Sequence, residues 1–460
     1  MEQCTASASV RRATPHASLA ALGVKLRQLD LLAPLREELK VAQKAVKYTP
    51  FEKLTDCFIG SLAGAHGLVA INAGRRADPA LPAAFGRTAC AEQSVIQDTL
   101  DACTATNVTQ MEQAIERIFR QYSGAAPHDF EPGELLLDAD MSGLPCGRKA
   151  AGATKGYFAG AKNCRGRQWG RVLATDEAEI VVDELFPGNV ALVTALPGLV
   201  EAAERRRALT PEQRARPILR VDAGGGSSGD LNGALARGYQ VHAKDFSSQR
   251  AQQLAQRVTV WYPDPKVAGR QLGGVTGAAP EYGRAVRRVA GRCRLANGPW
   301  KAAGLISTVA PETVRARTGL PAPDPGDPAA GVLAEVYFDD QRGGGVETSV
   351  KGDKQGLGIT KRNKKRFEAQ QILVALGALA HNVLMGARAW LAPAAPAVRR
   401  YGIQRLVRDL FGVAGAVETE PTGRVDRLVL NPASRLAQRC LTAFQLLLAP
   451  AQVIVILGET

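Results

Sequence analysis

Residues 337–365 read YFDDQRGGGVETSVKGDKQGLGITKRNKK. One glutamate, Glu347, stands inside a run of arginines and lysines, ahead of a long apolar stretch from Arg366 to about Trp390. A lone glutamate among lysines is ordinarily a solvated surface residue. Two upstream stretches change the reading. Asp138 and Asp140 follow the apolar run Leu135-Leu136-Leu137, and Asp222 follows Pro217-Ile218-Leu219-Arg220-Val221, just ahead of Gly224-Gly225-Gly226. Short apolar runs of this kind read as buried strands, and small residues after them let another backbone or a ligand approach. Each delivers an aspartate to a polar sheet edge.

If Asp140, Asp222 and Glu347 converge, three like charges repel and need divalent cations to stay ionised. Oxygen-only ligation suits Mg²⁺ or Mn²⁺, and two such ions serve phosphodiester chemistry. Arg342 would then grip a phosphate with its guanidinium fork, and Lys354, Lys361, Arg362, Lys364 and Lys365 would neutralise nucleic-acid backbone charge. Strand alternation puts Asp138 on the same face as Asp140, so Asp138 is either a supporting carboxylate or the true ligand. Asp339, Asp340 and Asp353 read as loop carboxylates outside the site.

Composition agrees with a polyanionic partner. Among 460 residues, 58 Lys and Arg face 44 Asp and Glu, a formal net charge of +14. Nucleic acid is the first expectation from such an excess and an acidic membrane surface the second; a soluble protein from a GC-rich genome that uses arginine for lysine is the bland alternative. A hydrophobic content of 45% allows a large core in two or three domains. The eight cysteines form no C-x-x-C pair and there are five histidines, which argues against a zinc site or a disulfide framework. His66, His128, His242 and His381 are dispersed and read as core or surface residues. The N-terminus lacks a secretory pattern, pointing to the cytoplasm, where a DNA-binding protein would associate with the nucleoid. The apolar stretches 370–398 and 446–457 are interrupted by polar residues and prolines and read as core, not membrane.

Along the chain, residues 1 to about 15 read as a disordered tail and 16–130 as a helical region. Within that region, 85–100 suggests a basic turn and a helix with Gln93, Ser94 and Gln97 outward, suited to a DNA major groove or simply to a solvated surface. Strands and helices then alternate over 131–258 and resume over 301–415, the expected catalytic core. Residues 259–300 read as a strand-rich insertion, 311–330 as a Pro/Gly linker, and 416–460 as a basic helical region. The helix after the basic run is expected to pack on the sheet.

The passages LLLDADMSGLPCGRKAAGATKGYF, ILRVDAGGGSSGDLNGALARGY and YFDDQRGGGVETSVKGDKQGLGITKRNKKRFEAQQILVALGALAHN, in this order over roughly 130–415, resemble a DDE-type insertion-sequence transposase of the cut-and-paste group. The resemblance implies an α/β fold: an RNase H-like mixed sheet with flanking helices, a strand-rich insertion and a helical N-terminal DNA-binding region. It gives Asp140, Asp222 and Glu347 the three acidic roles, and Tyr337, Arg342, Glu347 and Lys354 the places of a Tyr-Arg-Glu-Lys signature. The gap from Glu347 to Lys354 fits that signature, whereas Gly343 to Gly345 lengthen the spacing before it. Two Mg²⁺ or Mn²⁺ ions, terminal inverted repeats and target DNA as partners, and a synaptic homodimer are implied with it.

Other readings compete. A nuclease or integrase of the same fold would dispense with transposition, and a catalytically dead copy would merely bind DNA. The turn Gly224–Gly226 after a strand suggests a nucleotide cofactor, as in a methyltransferase. Trp261 and Trp300 read first as core aromatics and second as surfaces for an unstacked base.

Overall fold

The computed structural model describes residues 9–44, 47–130, 133–158, 161–294, 298–320 and 327–459. Among them the chain divides into two compact units. One lies within Met1–Ala126, Pro145–Ala153 and Ser349–Thr460, the other within Pro127–Leu144 and Thr154–Thr348. In chain order the strands are β1 (Val10–Thr14), β2 (Leu136–Pro145), β3 (Thr154–Phe158), β4 (Ala161–Ala174), β5 (Glu179–Pro187), β6 (Ile218–Val221), β7 (Gln240–Lys244), β8 (Tyr262–Pro263), β9 (Arg270–Gly274), β10 (Arg287–Arg294), β11 (Trp300–Ser307), β12 (Gly415–Thr419), β13 (Val425–Leu430) and β14 (Ile454–Leu457).

The second unit, the sheet unit, is mixed α/β. Its ten-stranded sheet runs β3-β4-β2-β6-β7-β11-β10-β9-β8, with β5 paired to β4. β2, β6 and β7 are parallel neighbours, while β7-β11-β10-β9-β8 are antiparallel. Every residue of β6 is buried, as expected of a strand covered on both faces. Leu136 and Ile218 pack there with Val309, Val314, Ala334 and Phe338, so the helices Pro311–Thr318 and Pro328–Asp340 cover one face of the strands that carry the aspartates.

The insertion at 259–300 is strand-rich and does not form a separate sheet. Its strands extend the central sheet, because Leu305–Ser307 of β11 pair antiparallel with β7. The stretch 311–330, expected as a linker, contains the helix Pro311–Thr318 and the start of Pro328–Asp340. Each of these helices opens on a proline, which suits a first turn whose N–H has no partner. Asp327 caps the second by accepting from the Ala329 N–H. Residues 321–326 lie outside the described residues.

The first unit, the helical unit, contains the helices Ala17–Gln28, Pro50–Leu62, Gln93–Ala102, Ala105–Tyr122, Phe367–Leu391 and Arg435–Leu448. Reciprocal capping boxes start two of them, Thr49 with Glu52 and Thr104 with Asn107. The helix Phe367–Leu391 belongs here and packs on Pro50–Leu62, Gln93–Ala102 and Ala105–Tyr122. It was expected within the catalytic core, packed on the sheet, and its partners here are helices of its own unit. Apolar on nearly every side, the helix is satisfied by helices all around it. It is long and apolar enough to cross a membrane, yet 78% of its most apolar window is buried within the protein.

Two further expectations change. Val10–Thr14, placed in a disordered tail, is a strand that pairs with β12; residues 1–8 of that tail lie outside the described residues. The region 416–460 is not wholly helical, since β13 pairs antiparallel with β12 and parallel with β14. The runs GAVET, VDRLVL and IVIL are rich in the β-branched residues that favour a pleated surface.

Candidate active site

The site grows out of strand register. Ala139 of β2 lies beside Val221 of β6, which lies beside Ala243 of β7. The next residue of each segment is Asp140, Asp222 and Lys244, with Asp222 just past the end of β6. Two residues before these is the row Asp138, Arg220 and His242. Along β2 and β7, residues two apart face the same way, because strand side chains alternate with a period of two.

The inner row is closed off. Arg220 grips Asp138 with both prongs, Nε to Oδ1 at 2.6 Å and Nη2 to Oδ2 at 2.8 Å, and donates from Nη1 to the Phe338 carbonyl at 2.6 Å. Asp138 is fully buried. With both oxygens held by one guanidinium, Asp138 is a structural anion, which removes it as the candidate metal ligand in favour of Asp140.

Asp140 is half-buried, and its Oδ1 accepts from the Met141 N–H at 2.7 Å. Burial pushes its carboxyl up, and the negative charges of Asp222 and Glu347 push it further; Arg342 and the Met141 N–H pull back, leaving it at about 6. Three carboxylates from three separated segments therefore share one electrostatic environment. Asp222 is oriented by its own turn, its Oδ1 accepting from the Gly224 N–H at 2.8 Å. Glu347 is exposed in the first turn of the helix Val346–Gly356, where a carboxylate also complements the helix dipole.

Two features fix the approach to Glu347. Arg342, 2% exposed, donates from Nη2 to the Ala139 carbonyl at 3.1 Å, one residue from Asp140. It braces the strand and lowers Asp140 rather than standing open to a phosphate. Gly345 lies against the Asp138 pair: a Cβ there would come 2.8 Å from Asp138 Oδ2 and 3.0 Å from Thr175 Cγ2. The glycines that lengthen the spacing before Glu347 therefore include one that only glycine can fill without displacement.

Tyr337 points toward the insertion and donates to Asp264 Oδ1 at 2.8 Å; burial and that carboxylate push its hydroxyl up to about 12. Lys354, Lys361, Arg362, Lys364 and Lys365 belong to the helical unit. Lys361 and Lys365 are exposed, but Arg362 and Lys364 are interior. Arg362 donates to the Ala65 carbonyl and Lys364 Nζ donates to Gln97 Oε1 at 2.5 Å. These two are corrected from DNA contacts to packing residues, since alternate members of the basic run turn inward. In the turn before Gln93, Arg87 is likewise buried, bound to Asp56 and Glu52, so it is not a free basic finger.

The acids read as loop decoys are ion-pair partners in helices. Asp339 holds Lys244 at 2.7 Å, Asp340 holds Arg270 at 2.7 Å, and Asp353 lies 2.7 Å from His381 Nδ1. Sequence reading missed Arg220 and Lys244. Arg220 lies two residues before Asp222 and Lys244 one residue after the partner of Val221, a signal visible only once the parallel pairing is known.

A Cβ on Gly226 would lie 1.7 Å from the Lys244 carbonyl oxygen, so this glycine serves close approach to the end of β7. A cavity of about 900 Å³ in the helical unit, lined by Leu26, Leu39, Phe51 and Phe85 among others, contains none of the acidic candidates.

Among the described residues no group of three His, Cys, Asp or Glu side chains stands in metal-holding geometry. The donors nevertheless fit a hard divalent cation in kind, being all carboxylate oxygens, and burial together with the charges of Asp222 and Glu347 raises Asp140, which such a cation would offset.

No family model matches the chain, and no curated protein matches it. Among solved structures it is similar to a piggyBac transposase synaptic complex with hairpin DNA, at 13% identity and a TM-score of 0.45, over 88% of this chain and 82% of that one.

Proposed function

We propose that this protein is a metal-dependent DNA strand-cleaving and strand-transfer enzyme, a cut-and-paste transposase of the DDE type with an RNase H-like core. The observation that carries the reading is the convergence on Asp140: its carboxyl is raised by burial first and then by Asp222 and Glu347, which come from the end of β6 and the start of the helix Val346–Gly356. Support also comes from the sheet order, with parallel β2, β6 and β7 presenting the two aspartates at one edge, and from the net charge of +14.

Asp140, Asp222 and Glu347 would hold Mg²⁺ or Mn²⁺. When bound, two such ions supply Lewis acidity to the attacking and leaving oxygens of a phosphodiester. The chain's own contributions are positional. The Gly224 N–H fixes the Asp222 carboxylate, the Met141 N–H fixes Asp140, and Arg342 ties the approach to Glu347 to the backbone of β2. Exposed cations of the helical unit, including Lys361, Lys365, Arg399 and Arg400, supply backbone contacts to DNA. The substrates are the terminal inverted repeats of the element and a target duplex, the assembly a synaptic homodimer, and the setting the nucleoid.

The test is incubation of the full chain with a supercoiled plasmid carrying the gene's flanking DNA, with Mn²⁺ or Mg²⁺ and then with EDTA. Nicks at the element boundary and joined products, both lost in EDTA, are expected. Nicks without joining would favour an endonuclease of the same fold, and the absence of both from a chain that binds the DNA would overturn the enzymatic reading.

A further inference from the structure

Three carboxylates at one sheet edge repel the phosphodiester they are proposed to act on. An accessible cation is needed beside them, and Arg342 is buried against the Ala139 carbonyl. The register supplies another candidate. Lys244 directly follows Ala243, which pairs with Val221, the residue before Asp222, and neighbouring strands lie about 4.8 Å apart. It is the last residue of β7, and its side chain is 41% exposed.

Its surroundings hold it in place. Asp339, near the end of the helix Pro328–Asp340, receives its ammonium at 2.7 Å on Oδ2. That carboxylate is 2% exposed, and its Oδ1 has no hydrogen-bond partner. A buried anion served by one cation fixes that cation firmly, because separating them strands the charge. An ammonium has three donors, so the bond to Asp339 leaves others to point outward. Gly226 adds a second restraint: it lies against the Lys244 carbonyl, tying the end of β7 to the turn after Asp222.

We propose that Lys244, positioned by Asp339, is the phosphate-binding cation of the acidic edge, contacting the DNA backbone next to the bond that is cut. The proposal rests on the cleavage reading above and names a residue of that same site. Asp339 is a positioning residue in this scheme, and Lys244 is the group that touches substrate.

The experiment measures full-length wild type, Lys244→Gln, Lys244→Arg and the double variant Lys244→Gln/Asp339→Asn, which avoids leaving Asp339 unpaired. Each is titrated with a duplex carrying the flanking element end at several salt concentrations in EDTA, then assayed for Mn²⁺-dependent nicking, with thermal midpoints recorded. Loss of one phosphate contact should reduce the salt slope by about 0.9. The expected result is that reduction, with weaker nicking, in both Gln-containing variants, a wild-type slope in Lys244→Arg, and a wild-type midpoint in the double variant. Wild-type slopes and nicking in the double variant would overturn the assignment while leaving the cleavage reading intact. Equal losses in Lys244→Arg and Lys244→Gln, tracking lowered midpoints, would reduce the pair to a structural one. A wild type that neither binds nor nicks the duplex would overturn both readings together.

Discussion

Arg220 and Asp138 form a bidentate pair inside the sheet unit, 2.6 and 2.8 Å across adjacent parallel strands, directly beneath the acidic edge. This pair separates two aspartates that the sequence makes look equivalent. Asp138→Asn should leave Arg220 buried without its counter-charge and cost about 3–5 kcal/mol of stability. Asp140→Asn should leave the fold intact and remove cleavage. Urea unfolding of the two variants beside a nicking assay separates these outcomes.

Asp140 gives the protein a pH signature in chelator. Its carboxyl is raised to about 6 by burial and by Asp222 and Glu347. Between about pH 4 and 6 the native state therefore holds a proton that the unfolded chain, with an ordinary value near 3.9, has released. Stability is favoured below about pH 4 and falls as pH rises through about 6, by up to about 3 kcal/mol for this group. Asp140→Asn should flatten that fall, so the variant should equal wild type near pH 4 and exceed it at pH 7. Urea midpoints against pH measure the difference, and added Mn²⁺ should raise the wild-type midpoint alone.

Gly345 is the narrowest point of the approach to Glu347. A methyl there meets Asp138 Oδ2, which the Arg220 fork prevents from giving way. Gly345→Ala should cost about 1–3 kcal/mol and displace the helix start that carries Glu347, reducing cleavage more than DNA binding. Gly344→Ala, where an added Cβ meets nothing within 4 Å, is the control.

Tyr337 and Arg362 look like DNA contacts in the sequence and are tied up inside the protein. Tyr337→Phe should leave cleavage close to wild type, since its hydroxyl serves Asp264. Arg362→Gln should lower the thermal midpoint, because a buried guanidinium bonded to the Ala65 carbonyl is lost, with a cost of about 1–3 kcal/mol. Its salt slope for duplex binding should match wild type, whereas Lys361→Gln combined with Lys365→Gln should reduce that slope.

The strands carrying the aspartates were legible because buried parallel strands are short unbroken apolar runs. Leu135-Leu136-Leu137 and Ile218-Leu219-Arg220-Val221 are such runs, and both are strands. The roles of Asp138 and Asp140 were not separable, because one sits against Arg220 only through a pairing between residues 82 apart in sequence. Lys244 was invisible for the same reason. The inward turn of Arg362 and Lys364 escaped a charge count, since composition does not say which cations of a run face the core. The helix Phe367–Leu391 was recognised, but its partners were misplaced, because an all-round apolar helix does not announce which neighbours cover it.

The most direct measurement is cleavage of an end-labelled duplex carrying the flanking element end, with Mg²⁺ or Mn²⁺, by wild type and by Asp140→Asn, Asp222→Asn and Glu347→Gln, with binding affinity recorded for each. Nicking at the element boundary by wild type, lost in all three variants while their affinity stays within about twofold, is the predicted result; the bound DNA shows that the fold survives. Undiminished nicking by any one of the three variants would contradict a site built on Asp140, Asp222 and Glu347.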